Sequence, residues 1–257
     1  MGGAILKRLV KDLADPTRVV AVDINEERLA ELSQELGVAT TTSVPEAIAD
    51  STMAVLAVKP WVVPQILKEH GREWPEGCLL VSVAAGVKTQ TLEKYLPVQV
   101  PVVRAMPNTP ALIGAGITAL AAGSAANEEH LRQAAEVLGK VGEVVIVPES
   151  SLDAVTGLSG SGPAYVYMFI EALIDAGVRE GLPRETARKL AVETVLGAAK
   201  LVKETGEHPA KLKDAVTTPG GTTIAGLAAL ETGGFRGLVL DAVSEATKIS
   251  RLLGKDE

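Results

Sequence analysis

The sequence predicts an α/β fold in two parts: a doubly wound, mainly parallel sheet over residues 1–148, followed by an all-helical domain over residues 149–257. Up to about Pro148, short β-branched runs alternate with amphipathic helical stretches. Buried apolar strands separated by such helices are typical of a parallel sheet with helices on both faces. Beyond Pro148 the strand signals stop, and apolar residues recur only at helical spacing.

Individual segments support this division in chain order. The first part opens on the helical segment MGGAILKRLV, and its later helices are predicted over NEERLAELSQELG, WVVPQILKEHG and TQTLEKYL. Its strands are predicted over RVVAVDI, STMAVLAVKP, GCLLVSVAAG and VPVVRAMPN. The helices of the second part are predicted over AYVYMFIEALIDAGVREG, RETARKLAVETVLGAAKLVKETG and FRGLVLDAVSEATKISRLLG, with Gly and Pro marking their ends.

One stretch raises the question of a membrane span, because residues 105–127 carry no charge and are long enough to cross a bilayer. Pro107, Pro110 and Gly114 interrupt it, so two buried strands and a loop are expected there instead. No signal peptide is expected either, since Lys7 and Arg8 interrupt the first apolar run.

Composition excludes several classes of function. A net charge of −7 and a pI near 5.2 argue against a nucleic-acid binder, which normally shows a basic face. Cys78 is the only cysteine, which excludes an intrachain disulfide and suits a reducing compartment. His70, His130 and His208 form no metal-ligand pattern. We therefore expect a cytoplasmic, metal-free protein that binds neither nucleic acid nor membranes.

The glycines at the start of the chain indicate a dinucleotide site. In a Rossmann-type fold the first strand leads into a G-x-G-x-x-G turn, whose third glycine lies in the first helix. If Gly2 is that third glycine, the first strand and the two phosphate-contacting glycines would lie upstream of Met1. Asp23 would then hydrogen-bond an adenosine ribose and favour NADH, because a carboxylate repels the 2′-phosphate of NADPH. The alternative is that Asp23 is an ordinary turn residue or helix cap.

Two later strand ends carry further candidate residues. AVKP (Ala57 to Pro60) and SVAAGV (Ser82 to Val87) end consecutive apolar strands, and the carboxyl ends of parallel strands form the crevice where such sheets bind ligands. Lys59 at the first of these ends is either a ligand-facing group or a solvated loop charge.

Five segments together resemble one family: AVKP, SVAAGV, RAMPNTPALIGAGITAL, DAVTGLSGSGPAYVYMFIEALIDAGVREGLPRETA and LKDAVTTPGGTTIAGLAALETGGFRG. They look like pyrroline-5-carboxylate reductase, the last enzyme of proline biosynthesis, from Met1 to about Gly254. The resemblance implies a Rossmann-type domain and an all-helical dimerisation domain that interlocks with a second subunit, in a homodimer that often belongs to a larger ring. Family members begin with a strand and a Gly-x-Gly-Asn-Met-like turn, which this sequence does not show. We expect that the segment was lost through a misplaced start or a truncation; the alternative is that the chain lacks it.

The resemblance also implies a reaction and its residues. Hydride would pass from NADPH or NADH to the C=N carbon of L-1-pyrroline-5-carboxylate, giving L-proline. The residues facing the cofactor would be Gly2, Asp23, Ala57, Val58, Lys59, Pro60, Val83, Ala84 and Ala85. The residues facing the substrate would be Gly220, Gly221, Thr222 and Thr223.

The segment TTPGGTTIAGL places two glycines and two hydroxyls directly before an apolar helix. Free N–H groups at such a helix start could hold a substrate carboxylate without any arginine. We predict that the Thr222 hydroxyl hydrogen-bonds the ring nitrogen, orienting the imine and relaying a proton, while Thr223 is its structural partner and cap. The alternative is an ordinary N-cap, with either threonine bonding its own helix.

Two neighbouring motifs have supporting roles. SGSGPAYVYMF lacks the lysine of a phosphate-binding G-x-x-x-x-G-K-[ST] loop, so nucleotide hydrolysis is not expected. Ser161 is instead predicted to be an N-cap, with Pro163 in the first helical turn. In MPNTP, Asn108 either reaches the substrate or forms an Asx turn.

Two other functions stay open from the residues alone. A two-domain NAD(P)-dependent dehydrogenase of 3-hydroxyacid type would need a buried lysine or a similar acid/base group, and the helical part has lysines only in polar stretches. A non-catalytic dimeric remnant would keep the helical interface without a working cofactor site.

Overall fold

The structure, a computed structural model, describes residues 1–11 and 15–254. Its strands are β1 (Val20–Val22), β2 (Ala39–Thr41), β3 (Met53–Leu56), β4 (Leu79–Ser82), β5 (Val102–Met106), β6 (Gly116–Ala122) and β7 (Gly142–Ile146). Its helices in the same part of the chain are α1 (Gly2–Lys11), α2 (Glu26–Leu36), α3 (Val44–Ile48), α4 (Val63–His70), α5 (Thr89–Glu93), α6 (Glu128–Leu138) and α7 (Leu152–Val155). The remaining helices are α8 (Gly162–Arg179), α9 (Arg184–Thr205), α10 (Pro209–Ala215), α11 (Thr222–Thr232) and α12 (Phe235–Leu253).

The chain forms two compact units. Unit 1 comprises the described residues of Met1–Ser161 and Ser244–Glu257, and unit 2 comprises Gly162–Val243. The last helix, α12, therefore begins in unit 2 and ends in unit 1.

The strands of unit 1 form two sheets. β1 and β2 are parallel partners in a small sheet, and the larger sheet has the order β3-β4-β5-β6-β7. All neighbours in the larger sheet are parallel except β5 and β6, which are antiparallel. The parallel pairs β1/β2, β3/β4, β4/β5 and β6/β7 are each connected through a helix, as parallel strands require. The predicted fold class, a Rossmann-type and mainly parallel sheet followed by a helical domain, is confirmed.

Helix α1 packs against both sheets. Its Ile5 lies in the core cluster of the larger sheet with Val81 and Leu120, whereas its Val10 joins Ala21 of β1. A helix with apolar groups at such spacing presents a broad stripe, and here that stripe is shared between two layers. The first turn of α1 is thereby held in place close to the ends of the neighbouring strands.

The middle of the larger sheet is its most deeply buried part. Every residue of β4 is buried, as are the first four residues of β5. Cys78 lies just before β4 with no exposed surface, and this burial raises the pKa of its thiol. Among the described residues that thiol forms no disulfide.

Unit 2 has almost no core of its own. Within Gly162–Val243 only Ala187 and Ala191 are buried, although α8 packs closely on α9, where Gly177 lies against Ala187. Large apolar side chains of α8, α9, α11 and α12 are instead exposed in the single chain. Helices stay folded mainly through burial of their apolar faces, so this unit requires a further surface to cover it.

The structure differs from the sequence analysis at several elements. Ser161 is not an N-cap: it has helical dihedrals (φ −83°, ψ −23°) and follows a π-helical turn, Thr156–Gly160, that leads directly into α8. The short elements β2, α3 and β7 were also missed. A three-residue strand such as β2 is too short to show a period in the sequence. No helix among the described residues is both long and apolar enough to traverse a bilayer.

Candidate active site

The carboxyl ends of β3 and β4 lie side by side. Leu56 pairs with Ser82 in the parallel register, and the Val83 N–H donates to the Leu56 carbonyl oxygen at 3.1 Å. Because both strands end at the same edge, the segments Ala57–Pro60 and Val83–Ala85 leave the sheet next to each other. Val58, Lys59 and Ala85 are exposed in the described chain, whereas Ala84 is only 2% exposed. The predicted cofactor residues of these two strands therefore share one edge, at which Ala85 rather than Ala84 is accessible.

The start of α1 reaches the same edge. A Cβ added to Gly2 would lie 2.9 Å from the Cβ of Ala57, which is closer than real Cβ atoms approach one another. Glycine is thus required at this position, as expected of the residue that lets the first helix of a dinucleotide-binding fold pack closely. The structure thus places Gly2 against Ala57, which follows the strand end that pairs with Val83.

Asp23 follows β1 and is exposed. Its Oδ1 accepts the Asn25 N–H at 3.0 Å, so the turn role considered as the alternative is present. Asn25, not Asp23, is the N-cap of α2, where its Oδ1 accepts the Arg28 N–H. Since one carboxylate oxygen accepts this single turn bond, the exposed carboxylate keeps further acceptor capacity for a ribose hydroxyl.

Arg28 is a residue that the sequence analysis missed. Its Nη2 lies 3.7 Å from a Cβ built on Gly3, so the guanidinium lies beside the first turn of α1, while its Nη1 pairs with Glu31 at 2.8 Å. The available signal was its position five residues after Asp23, in the otherwise acidic first turn of α2. In dinucleotide-binding folds, an arginine close to the residue that binds the ribose can accommodate the 2′-phosphate of NADPH, which Asp23 would repel.

Lys59 extends into solvent after β3. Its Nζ lies 5.9 Å from the ring centre of Trp61, a cation–π distance, and Trp61 is 74% exposed. Pro60 begins a 3₁₀ turn, Pro60–Val62, that leads into α4. The lysine is therefore an exposed cation held near an aromatic ring at the same sheet edge.

The side-chain oxygen of Asn108 makes a hydrogen bond within the fold. Its Oδ1 accepts the Ile117 N–H of β6 at 3.0 Å, and no side-chain bond caps the 3₁₀ turn Thr109–Ile113 that it precedes. The Asx turn considered as the alternative is thus not what holds this side chain. The bond to β6 orients the carboxamide and leaves its amino group as a donor.

The four predicted substrate residues form the start of α11. Gly220 has φ +66°, and Gly221 is the N-cap, with extended dihedrals and no side-chain oxygen to offer. Thr222 and Thr223 are the first two helical residues. The prediction that Thr223 is the cap is therefore wrong, and neither threonine is the cap that the alternative required. Within the described residues no hydrogen bond of either hydroxyl is found, and the first N–H groups of the helix lack intrahelical acceptors. This helix start can therefore donate several hydrogen bonds to an anion.

The histidines act at helix ends. His130 Nδ1 accepts the Asn127 N–H in the capping box of α6, and His208 Nδ1 accepts the Ala210 N–H at the start of α10. A hydrogen bond from Arg132 lowers the pKa of Glu129 to about 2, but this pair lies on the solvent face of α6. Over residues 1–11 and 15–254, no group of three potential metal ligands lies together. The chemistry available at the two predicted sites is thus binding and orientation by backbone groups and hydroxyls.

Comparison with known proteins matches this arrangement. Residues 149–253 match the family model described as pyrroline-5-carboxylate reductase dimerisation, and residues 1–86 match that of NADP oxidoreductase, coenzyme F420-dependent. The chain is 46% identical to a pyrroline-5-carboxylate reductase from Synechocystis, over 99% of this chain and 95% of that protein. It is 38% identical to the one from Escherichia coli, over 99% of this chain and 95% of the other.

Solved structures agree with the sequence relatives. A pyrroline-5-carboxylate reductase from Coxiella burnetii superposes with a TM-score of 0.92 at 34% identity, over 98% of this chain and 94% of that one. A pyrroline carboxylate reductase from Plasmodium falciparum with NADP bound superposes with a TM-score of 0.87 at 29% identity, over 99% and 94% of the two chains.

Proposed function

The chain belongs to the pyrroline-5-carboxylate reductase family and is therefore an NAD(P)H-dependent oxidoreductase of proline biosynthesis, and we propose how its own residues serve the reduction of L-1-pyrroline-5-carboxylate to L-proline. The observation that carries the proposal is the start of α11, which no side chain caps and where two glycines precede two unpaired hydroxyls. Unit 1 carries the residues proposed for the cofactor and also Asn108, and unit 2 carries the glycine–threonine segment proposed for the substrate.

The cofactor residues fit a dinucleotide. Gly2 leaves no space for a side chain against Ala57, and the segments Ala57–Pro60 and Val83–Ala85 form one edge beside it. NAD(P)H supplies the hydride when bound. We propose that Gly2 and the backbone of these two segments position the dinucleotide, with Lys59 as an exposed cation for its phosphate groups and Asp23 for a ribose.

The substrate is an imine that carries a carboxylate, and α11 offers groups for both. The free N–H groups of Thr222 and Thr223, at the positive end of the helix dipole, would hold the carboxylate. The Thr222 hydroxyl would orient the ring nitrogen and relay the proton that this nitrogen gains as the carbon receives the hydride. Asn108 would contribute its side-chain amide NH2 as a further hydrogen-bond donor to the substrate.

The first experiment measures NADPH and NADH oxidation by the purified chain with L-1-pyrroline-5-carboxylate. Thr222→Ala is expected to lower kcat by about tenfold to a thousandfold, since one orienting and proton-relaying group is lost. Thr222→Ser is expected to restore most of the rate, because the hydroxyl returns. Thr223→Ala is the matched control: a larger loss there than in Thr222→Ala would transfer the role to Thr223, and turnover by neither wild type nor variants would contradict the function.

Cofactor choice provides a second prediction. Asp23→Ala is expected to raise the ratio of kcat/KM for NADPH over NADH by about tenfold, because a charge that repels the 2′-phosphate is removed. Arg28→Gln is expected to lower the same ratio by a similar factor, because a cation beside α1 is lost. Both ratios come from initial rates at limiting cofactor.

Arg132→Gln serves as the control for Arg28→Gln, since Arg132 on α6 is likewise a helical arginine that pairs with a glutamate three residues away. Its cofactor ratio should equal that of the wild type. An unchanged ratio in Arg28→Gln would remove Arg28 from the cofactor site.

We propose a homodimer built through unit 2. The dimerisation family model covers this unit, and only two alanines of Gly162–Val243 are buried in the single chain. A second copy of the same apolar faces would supply the missing core. Association of such dimers into a larger ring is an additional proposal, to be tested by sedimentation.

We further propose that the enzyme works in the cytoplasm. The presence of a single cysteine supports this, because proteins of oxidising compartments commonly rely on disulfides, which this chain cannot form within itself. The acidic net charge of −7 supports a small-molecule enzyme without a nucleic-acid partner.

A further inference from the structure

A partly buried carboxylate joins three elements of unit 1 that are distant in sequence. Glu149 accepts the Thr89 N–H through Oε1 and the Thr89 hydroxyl through Oε2, both at 2.7 Å. Its Oε1 also accepts a hydrogen bond from Nη1 of Arg104, at an N···O distance of 3.3 Å. The Arg104 side chain is only 6% exposed. Both oxygens of Glu149 are therefore engaged, and hydrogen bonds to a carboxylate are charge-assisted and stronger than those between neutral groups.

Thr89 is the first residue of α5, and this helix needs the contact. The residue before it, Lys88, is the N-cap and makes no side-chain capping bond. α5 has only five residues, too few to be stable through its own hydrogen bonds. Glu149 therefore takes the place of the missing cap from another part of the chain.

The loop that leads into α5 contains one of the two proposed cofactor segments, Val83–Ala85. Residues 83–88 connect the end of β4 to α5, and Ser82 anchors their beginning because its Oγ accepts the Ala84 N–H. In the middle, Gly86 has φ +83°, and a Cβ built on it would lie 3.7 Å from the Cβ of Leu253 at the end of α12. The Glu149–Thr89 contact anchors the far end of this loop.

The segment 149–153, which contains Glu149, also holds the end of α12. Asp153, four residues after Glu149, accepts the Ser250 hydroxyl at 2.7 Å, and Ser250 is 4% exposed. One turn of chain thus fixes both α5 and the end of α12, the two elements against which loop 83–88 rests. Losing either attachment would leave the loop with fewer fixed points.

We propose that Glu149 is a positioning residue that holds loop 83–88 in the shape required by the cofactor, and thereby sets the affinity for NAD(P)H without taking part in the chemistry. The inference rests on the proposed function, since it takes Val83–Ala85 as cofactor residues. It assigns to Glu149 a role that neither its distance in sequence nor its residue type indicates.

Glu149→Gln tests the proposal, with Glu93→Gln as the matched control. Glu93 is the last residue of α5, and its Oε1 accepts the Ser124 N–H, so the control weakens a similar carboxylate bond at the other end of the same helix. We expect Glu149→Gln to raise the Kd for NADPH, measured by its fluorescence change, by about tenfold. The kcat at saturating cofactor and the KM for the imine should stay within about twofold, as for the control in all three measurements.

A second measurement is independent of turnover. Amide hydrogen exchange of the cofactor-free protein should be faster in Glu149→Gln over residues 83–89 than in the wild type, with the core strand β4 unchanged. Should Glu149→Gln fail to fold, Thr89→Val removes only the hydroxyl bond and is expected to raise the Kd severalfold. Thr89→Ser, which keeps the hydroxyl, should bind as the wild type does.

The outcomes separate the two hypotheses. Equal Kd values in wild type, Glu149→Gln and Glu93→Gln, or an equal loss in both variants, would overturn the role of Glu149 while leaving the proposed function intact. A loss in kcat or in imine KM as large as the loss in cofactor affinity would also overturn it. A wild-type chain that neither binds NAD(P)H nor turns over would overturn the proposed function, and this inference with it.

Discussion

Gly221→Ala is expected to raise the KM for L-1-pyrroline-5-carboxylate by about a hundredfold, equivalent to about 3 kcal/mol. An added Cβ would collide with Thr218 Oγ1 and lie 3.2 Å from the Thr218 carbonyl oxygen. The Gly221 N–H also donates to that carbonyl at 3.1 Å, so the backbone cannot move away without opening the turn. Because Gly221 is the N-cap of α11, this movement would displace the N–H groups and hydroxyls of Thr222 and Thr223.

Gly226→Ala is the control for this prediction. Gly226 lies in the same helix, and a Cβ there would meet nothing within 4 Å in the chain. Alanine is the better helix former, so this variant should keep its KM and unfold at the same or a higher temperature. If Gly221→Ala behaved like Gly226→Ala, α11 would not start at the substrate site.

Met168→Asp and Leu240→Asp are each expected to dissociate the homodimer and abolish turnover at micromolar enzyme. Met168 is 74% exposed and Leu240 71% exposed in the single chain, within the segment that matches the dimerisation family model. In a dimer that covers these faces each substitution buries a carboxylate without a partner, which costs several kcal/mol. Light scattering during size exclusion gives the mass, and the same fractions are assayed for activity.

Val98→Asp is the matched control for these two variants. Val98 is 90% exposed and lies in unit 1, just before β5, so it also changes an exposed apolar group into an acid. It should remain a dimer with full activity. Retention of the dimer in both Met168→Asp and Leu240→Asp would place the interface on another surface.

The secondary structure was predictable where apolar residues recur with the spacing of a helix or form a continuous run typical of a buried strand. β3, β4 and β5 are apolar runs bounded by turns, and the long helices α8 and α9 keep an apolar stripe over several turns. β2 and α3 were not predictable in this way, since three to five residues contain too little of any period. The antiparallel direction of β6 was also missed, because direction depends on the connection and not on the strand itself.

The candidate site was predictable at its chain-local parts. The glycine–threonine segment and the strand ends could be identified because their residues are neighbours in sequence. Arg28 and Glu149 were missed for the opposite reason: each acts on a residue far from it in the chain, Arg28 beside Gly3 and Glu149 on Thr89. Their residue types alone are typical of any solvated helix or turn.

By itself the sequence determined the class of fold and the family, and it identified the short candidate segments, because each depends on local pattern and residue type. Only the tertiary structure decided that Gly2 meets Ala57, that Gly221 rather than a threonine caps α11, and that Glu149 accepts hydrogen bonds from Thr89 at the start of α5. These facts depend on distances between segments, which packing sets. The tertiary structure also decided that unit 2 has almost no core of its own, because the burial of its side chains depends on how its helices pack.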